Sequence, residues 1–203
     1  MDYLYAVVLF AVSSSVTPGP NNLMVMSSGL NFGVKRSLPL LAGICVGFTL
    51  MLLLVGLGFG QLFTLFPPLH LIIKCVGTLY LLYLAWLIAR SAGELAGKGQ
   101  ARPLGFLKGA LFQWVNAKAW VVATGAIAAF TSAGAGFYQQ NLTLALTFFI
   151  ISFPSVGIWL LFGSVLKRWL AGERARRRFN QAMGALLALS VTPVVWEIWQ
   201  QLA

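Results

Sequence analysis

Three polar residues, Gln113, Asn116 and Lys118, lie close together in an otherwise apolar stretch of the chain. A charged side chain at membrane depth is costly and normally faces the interior of a helix bundle or a water-filled cavity. Lys118 could therefore pair with a substrate carboxylate, or alternate between a proton and the substrate. The open alternative is that its ammonium binds backbone carbonyls released by a helix break in the first span. Asn116 and Gln113 lie on the same part of the stretch and would complete a polar pocket.

Residues 17–22, with the sequence Thr-Pro-Gly-Pro-Asn-Asn, form a second group that could bind a small anion. Pro18 and Pro20 each lack an N–H and clash with the preceding turn, so a regular helix must break here. Asn21 or Asn22 would cap the helix that restarts after the break. The positive end of that helix suits a carboxylate. The open alternative is a kink that binds no ligand, since proline is frequent in membrane helices.

The sequence on both sides of this break is apolar, which makes the break a candidate site. Broken backbone at membrane depth is tolerated only where protein or a water-filled cavity satisfies its polar groups. Gly19 permits backbone angles that other residues avoid, and the serines at 13–15 offer hydroxyls for carbonyls or for substrate. The candidate substrate-binding residues are therefore Ser14, Pro18, Gly19, Pro20, Asn21, Asn22, Gln113, Asn116 and Lys118.

The composition predicts that these residues belong to an all-α membrane protein. The 203-residue chain is 59% hydrophobic and only 9% charged, whereas a soluble globular domain has about 25% charged residues. Six apolar stretches are each long enough to cross about 30 Å of hydrocarbon. The predicted spans are Tyr3–Met26, Leu38–Phe63, Leu71–Ala89, Phe106–Phe130, Leu142–Leu166 and Phe179–Trp199. They leave no room for a soluble domain, so residues 1–203 are expected to form a single transmembrane domain.

Basic residues in alternate loops predict how the spans are oriented. Of the 14 Lys and Arg residues, all except Lys74 and Lys118 lie in or beside the first, third and fifth loops. They include Lys35, Arg36, Arg90, Lys98, Arg102, Lys108 and the group from Lys167 to Arg178. Because basic loops mark the cytoplasmic side, both termini are expected in the periplasm. The same clustering accounts for the net charge of +10 without a nucleic-acid partner.

The arrangement of spans predicts two inverted three-helix repeats, with an interrupted first helix. The halves, about residues 1–100 and 101–203, have an odd number of spans each and would therefore have opposite orientations. Segment 76–82 weakly resembles segment 183–189, and segment 114–120 takes the place in span four that the break has in span one. Many secondary transporters form a midplane site from such matching interrupted helices.

Several classes of function lack their characteristic residues. No Asp or Glu lies at mid-membrane in the predicted spans, which disfavours a metal site and a carboxylate proton relay. There is no Ser/His/Asp or paired-carboxylate arrangement for an enzyme, and no phosphate-binding loop for a nucleotide-driven pump. We therefore expect no catalytic residues, no cofactor and no metal. Cys45 and Cys75 lack metal-type spacing and are predicted to be small buried residues.

Three segments resemble the lysine exporter (LysE/RhtB) superfamily of amino-acid exporters. They are Thr17-Pro-Gly-Pro-Asn-Asn-Leu-Met-Val, Gly77-x-x-Tyr-Leu-x-Tyr-Leu-Ala-Trp and Phe112-Gln-x-x-Asn-x-Lys. The first third of the chain looks closest to the cysteine/O-acetylserine exporter branch. The resemblance implies a bacterial inner-membrane exporter of amino acids driven by proton exchange. The family usually has proline between the Asn and Lys of span four, where this chain has Ala117, so the sequence leaves open whether span four is broken.

The combined expectation is a secondary transporter that exports small neutral amino acids or their derivatives, such as cysteine, O-acetylserine or threonine-like substrates. Its partners would be the amino acid, the lipid bilayer and, in a homodimer, a second copy. The missing acidic residue argues against a cationic substrate, but an exporter of lysine or arginine stays an alternative. A non-transporting membrane scaffold and a lipid scramblase are alternatives of another class.

Overall fold

The computed structural model of this chain describes residues 2–58, 65–90, 103–132, 134–170 and 172–202. Within these ranges the regular elements are helices and no strand occurs. The helices are α1 (Asp2–Val16), α2 (Pro20–Phe32), α3 (Val34–Gly56), α4 (Pro67–Arg90), α5 (Phe106–Phe112), α6 (Ala117–Phe130), α7 (Phe137–Trp169), α8 (Glu173–Leu189) and α9 (Thr192–Leu202), with a 3-10 turn at Gln113–Val115. The expected all-helical class is confirmed. The predicted end of span two at Phe63 and the predicted loop residues Lys98 and Arg102 lie outside the described ranges.

Four helical segments among the described residues are long and apolar enough to cross a membrane. They are Val34–Gly56, Leu71–Arg90, Phe137–Lys167 and Glu173–Gln200. Two shorter apolar helices, Tyr3–Val16 and Ala117–Phe130, adjoin the two interruptions described below. Such long apolar helices satisfy their own backbone groups, which a hydrocarbon surrounding requires. The chain is therefore a multi-pass membrane protein.

The helix that follows the first interruption is longer than the sequence indicated. Span one was predicted to end at Met26, but α2 continues to Phe32. Gly33, with φ of 80°, then separates α2 from α3. A side chain is strained at such a positive φ, so glycine suits this tight junction. The first and second spans are therefore joined by a single residue.

The sixth predicted span is divided into two helices. It was expected as one helix over Phe179–Trp199, but α8 ends at Leu189 and α9 begins at Thr192. Pro193 has no N–H for the Leu189 carbonyl, which would otherwise be its helical partner. The Thr192 hydroxyl donates to that carbonyl instead, at 2.8 Å. The proline thus explains the break, and the neighbouring threonine compensates for it.

The helices pack as pairs that join the two halves of the chain. Helices α1 and α2 pack against α7, α3 packs against α5, α6 and α7, and α4 packs against α8. Glycines permit the closest approaches, because a Cβ on Gly43 would overlap the Phe106 carbonyl and one on Gly163 would overlap the Met26 carbonyl. Backbones that meet this closely are typical of packing between membrane helices.

A buried amide pair also joins the two halves. Asn31 of α2 and Asn180 of α8 exchange side-chain hydrogen bonds of 3.1 and 3.0 Å. Asn31 is 4% exposed and Asn180 is fully buried. Such a pair is strong in a low-dielectric interior and costly when only one partner is present. It therefore holds the end of α2 in a fixed position against α8.

Candidate functional site

The first helix is interrupted where the sequence predicted. Residues Thr17 to Gly19 separate α1 from α2. Gly19 is the N-cap of α2, with extended backbone angles of −177° and −179°. Pro20 follows as the first helical residue, a position where its missing N–H costs nothing. The expectation that Asn21 or Asn22 is the N-cap is therefore wrong, since both lie inside the first turn of α2.

Side chains from the first turn of α2 and from α7 bind the carbonyls that the break releases. The Asn22 Nδ2 group donates to the carbonyls of Ser15 and Thr17, each at 2.9 Å. The Trp159 indole N–H donates to the Val16 carbonyl at 3.0 Å. Unpaired carbonyls at membrane depth are costly. These three bonds explain how broken backbone is stable at this position.

Span four is interrupted as well, although it has Ala117 where proline was expected. Helix α5 ends at Phe112, the 3-10 turn follows, and Asn116 has extended angles of −90° and 105° before α6 begins. The Asn116 Oδ1 atom accepts from the Lys118 backbone N–H at 3.2 Å. An asparagine N-cap of this kind satisfies a free N–H of the restarted helix. Asn116 can therefore start a new helix without a proline beside it.

One pair of side chains joins the two interruptions. The Asn21 Nδ2 group donates to Gln113 Oε1 at 2.9 Å, and Gln113 Nε2 donates to Asn21 Oδ1 at 3.0 Å. Gln113 is fully buried, and its Nε2 also donates to the Gly109 carbonyl at 3.0 Å. The start of α2 and the end of α5 are therefore fixed to each other.

Lys118 binds the first interruption across the site. Its ammonium donates to the Thr17 carbonyl at 2.7 Å and to the Pro18 carbonyl at 3.4 Å. These bonds agree with the alternative interpretation of Lys118, in which its ammonium binds backbone carbonyls released by the helix break in the first span. Gly19 lies directly beside the side chain, because a Cβ there would be 3.0 Å from Lys118 Cδ. The cation thus sits next to the N-terminus of α2.

A small cavity of about 50 Å³ lies between the two interruptions. Six of the nine predicted site residues line it, namely Ser14, Gly19, Asn21, Asn22, Asn116 and Lys118. Pro18, Pro20 and Gln113 do not, although all three shape the breaks. Sites for small ligands usually measure roughly 300 Å³ or more. An amino acid could therefore enter only if the surrounding helices separate.

The cavity contains one buried acceptor without a partner. Asn22 is 3% exposed, and among the described residues its Oδ1 atom receives no hydrogen bond. The Asn22 Nδ2 group holds two carbonyls, so the side chain is already fixed in orientation. A buried unpaired acceptor is costly unless a donor arrives to satisfy it. The wall of the cavity therefore contains a positive group, Lys118, and a residue, Asn22, whose buried Oδ1 atom has no donor among the described residues.

The sequence of the chain matches that of a transporter family over most of its length. The family described as "LysE type translocator" matches residues 12–194, a range that includes both interruptions. The chain belongs to the LysE type translocator family. The resemblance that the motifs indicated is thereby confirmed.

Relatives of this translocator include proteins named "Cysteine/O-acetylserine efflux protein". The one from Klebsiella pneumoniae is 29% identical over 95% of this chain and 96% of its own length. Those from Salmonella paratyphi A and Escherichia coli strain K12 are 31% and 30% identical, each over 89% of both chains. No solved structure matches the chain. The similarity therefore extends over whole proteins and not over a shared motif alone.

The sequence did not predict the residues that α3 and α7 of the translocator contribute to the wall of its cavity. Helix α3 contributes Cys45 and Phe48, and α7 contributes Phe148 and Ser152. The apolar residues among them resemble every other core residue of a membrane helix, so no local signal marks them. Ser152, two positions before Pro154, is a polar residue at membrane depth that could have been singled out. Cys45 is buried, as expected.

Proposed function

We propose that this protein is a secondary transporter that exports small neutral amino acids or their derivatives, with cysteine and O-acetylserine as the leading candidates. Membership of the LysE type translocator family supports transport. The names of its relatives, which are similar over nearly their whole length, support this substrate class. The observation that carries the proposal is the cavity, in which Lys118 and the unpaired Asn22 Oδ1 are both present.

These two groups are complementary to the backbone of an amino acid. The Lys118 ammonium and the N-terminus of α2 together attract a carboxylate. The Asn22 Oδ1 acceptor suits the α-ammonium, which needs an oxygen once it leaves water. On binding, the carboxylate would replace the Thr17 and Pro18 carbonyls as the partner of Lys118. The substrate would then loosen the contact between the two interruptions.

The cavity favours a neutral side chain over a basic one. Its lining, as far as the structure describes it, contains no Asp or Glu that could pair with the charge of lysine or arginine.

A scaffold would have no use for buried polar groups at this depth. A lipid scramblase would need its polar groove on the lipid-facing side. Pro18 is exposed, but the polar residues Asn22 and Asn116 are only 3% and 2% exposed, which does not fit an open polar groove.

We propose six spans in two inverted repeats as the architecture of this transporter. Spans one and four would each consist of two helices, α1 with α2 and α5 with α6. In such a repeat, α1 and α2 correspond to α5 and α6, α3 corresponds to α7, and α4 corresponds to α8. The packing of α1 and α2 on α7 then matches the packing of α5 and α6 on α3, and the α4–α8 and α3–α7 pairs each match themselves. Interruptions in corresponding spans support the same arrangement. The whole chain would then be one transmembrane domain.

The proposed location is the bacterial inner membrane, with both termini in the periplasm. The exposed basic residues Arg174, Arg177 and Arg178 at the start of α8, with Lys35 and Arg36 at the start of α3, would lie in the cytoplasm.

Export would be coupled to proton entry, and the protein would act as a transporter without catalysis. A transmembrane pH gradient imposed on proteoliposomes should drive net movement of cysteine. A protonophore should abolish that movement but leave exchange between equal pools intact.

Counterflow in proteoliposomes tests the substrate class. Vesicles loaded with cysteine or O-acetylserine should accumulate the labelled compound. Analogues that lack either the α-amino or the α-carboxyl group should compete at least about tenfold less well, the loss expected for one charge-assisted hydrogen bond. Equal competition by analogues with only one of the two groups, or a preference for lysine, would contradict the proposal.

Alkylation of Cys45 provides a second measurement at the same cavity. Cys45 lines the cavity and Cys75 does not. A Cys75→Ser variant should therefore react with N-ethylmaleimide only when the cavity opens, and O-acetylserine, which has no thiol to consume the reagent, should slow the reaction. A Cys45→Ser variant, which retains Cys75, is the matched control and should show no protection. Protection of Cys75 instead of Cys45 would place the substrate elsewhere.

A further inference from the structure

A second cavity, of about 340 Å³, lies between α4, α6 and α9. It shares no lining residue with the site described above. Most of its wall is apolar, with Ile73, Leu81, Val115, Val191 and Val194 among the lining residues. Its volume is within the range of about 300–1,000 Å³ that is typical of ligand sites. The cavity is therefore large enough to hold part of an apolar molecule.

The side chains of a lysine, a glutamate and two threonines interrupt this apolar wall, and the hydroxyl of one threonine, Thr124, donates to the Trp120 carbonyl at 2.8 Å. The Lys74 ammonium on α4 and Glu197 Oε2 on α9 form an ion pair of 2.8 Å. The side chains of these two residues are 18% and 55% exposed. Thr78, four positions after Lys74, is 8% exposed, and among the described residues its hydroxyl has no hydrogen-bond partner. An unpaired hydroxyl is costly in such a place, so a ligand with an acceptor would be favoured.

The cavity reaches the surface of the molecule beside α6, one of its apolar helices. Val121 of α6 lines it and is 71% exposed. Helix α6 is an apolar membrane helix, so its exposed side chains face hydrocarbon. A ligand that enters here comes from the bilayer and not from water. The occupant should therefore be a lipid, with a chain in the apolar part and a polar group at the ion pair.

We propose that this cavity binds one phospholipid whose headgroup carries both a phosphate and a primary ammonium, as in phosphatidylethanolamine. The phosphate accepts from Lys74, the ammonium donates to Glu197, and one acyl chain occupies the apolar part. The Thr78 hydroxyl donates to an ester oxygen of the glycerol region. Phosphatidylglycerol offers no cation to Glu197, and the choline headgroup has no N–H to donate. The Lys74–Glu197 pair thus favours a headgroup that has both an anionic phosphate and an ammonium with N–H groups to donate.

Native mass spectrometry of the purified, delipidated protein tests the position of this lipid. Acyl-matched phosphatidylethanolamine, phosphatidylglycerol and phosphatidylcholine are titrated separately. Val121→Phe fills the mouth of the cavity and should weaken phosphatidylethanolamine binding about tenfold. The matched control is Val76→Phe on α4, where Val76 is 52% exposed and does not line the cavity. Equal affinities in the two variants would overturn the proposal, as would a change of oligomeric state in Val121→Phe without a change in lipid binding.

Two further variants test the headgroup and the ester contact. Lys74→Gln combined with Glu197→Gln removes both charges together and should reduce the preference for phosphatidylethanolamine over phosphatidylglycerol about tenfold, the effect of one charge-assisted hydrogen bond. Thr78→Val, which keeps the size of the side chain, should weaken all three lipids by the same smaller factor. Free phosphoethanolamine should not compete, because it has no acyl chain. An unchanged lipid preference in the double variant, or displacement of the lipid by phosphoethanolamine, would overturn the proposal.

Discussion

The side chains of Asn21 and Gln113 exchange two hydrogen bonds, of 2.9 and 3.0 Å, between the two interrupted spans of the molecule. Asn21 lies in the first turn of α2, and Gln113 lies in the 3-10 turn that ends α5. A paired amide in a low-dielectric interior is strongly favoured over a single buried amide. Separation of the two interruptions must therefore break this pair.

A double-mutant cycle should measure that connection. Asn21→Ala and Gln113→Ala each leave one amide without its partner, which should cost about 1–3 kcal/mol of unfolding free energy. The double variant should cost less than the sum, with a coupling of roughly 0.5–3 kcal/mol. Denaturant titration in detergent micelles gives the three values. Gln139→Ala on the exposed surface of α7 is the control and should show no coupling to Asn21.

Gly19→Ala should impair transport much more than it impairs stability. The new Cβ would meet Lys118 Cδ at 3.0 Å and Lys118 Nζ at 3.2 Å, so the lysine must move. The lysine is a flexible chain and can give way, and the extended angles of Gly19 are open to alanine. We expect an unfolding free energy within about 1 kcal/mol of the wild-type value and a clear loss of cysteine counterflow. Gly157→Ala, which meets open space, should change neither. Unchanged counterflow in Gly19→Ala would show that the position of Lys118 does not matter.

The first interruption could be predicted from the sequence because its cause is local. Pro18 and Pro20 lie two positions apart and together remove two helical hydrogen bonds. A single proline such as Pro154, in contrast, lies inside the unbroken helix α7. The way in which the break is satisfied could not be predicted, since the Val16 carbonyl binds Trp159, 143 positions away. Asn21 or Asn22 was expected to be the cap from its residue type, but Pro20 takes the first helical position, so both asparagines lie in the first turn. Residues that are distant in the sequence therefore determine how the released carbonyls are bound, which the local proline pattern does not indicate.

The second interruption was left open by the sequence. The family that the motifs resemble usually has proline where this chain has Ala117, and alanine gives a helix no reason to break. The break depends on the Asn116 cap and on the Asn21–Gln113 pair, neither of which requires a proline. The wall residues Cys45 and Phe48 gave no signal either, because only the packing of α3 brings them to the cavity. Residue type predicted the polar half of the site, and packing determines the apolar half.

Trp159→Phe should destabilise the protein although it keeps an aromatic ring. The substitution removes the indole N–H that donates to the Val16 carbonyl at 3.0 Å. The Val16 carbonyl, which is partly buried, keeps only a long contact of 3.5 Å from Asn22 Nδ2, so the loss should cost about 1 kcal/mol. Thermal unfolding in detergent checks this value. Trp169→Phe is the matched control, since Trp169 is 82% exposed, and it should leave the unfolding temperature within about 1 °C of the wild-type value. Equal effects of the two substitutions would mean that the Val16 carbonyl does not depend on the indole.

Lys118→Met should abolish most cysteine counterflow while the protein still folds. Methionine keeps much of the length of the side chain, but it removes the cation and both bonds to the Thr17 and Pro18 carbonyls. The Thr17 carbonyl keeps its bond of 2.9 Å from Asn22 Nδ2, and the lost Pro18 contact is long at 3.4 Å, so the substitution costs little stability. The substrate carboxylate, in contrast, would lose a charge-assisted hydrogen bond, and its affinity should fall about tenfold or more.

Lys108→Met provides the control for Lys118→Met, because Lys108 is an exposed lysine on α5 that does not line the cavity. Its counterflow should equal that of the wild type. Lys118→Arg separates charge from geometry, since the planar guanidinium keeps the charge but does not fit the space beside Gly19 as an ammonium does. We expect it to retain an intermediate rate. Full counterflow in Lys118→Met would leave Lys118 with only the role of binding the first interruption, and the substrate carboxylate would then depend on the N-terminus of α2 alone.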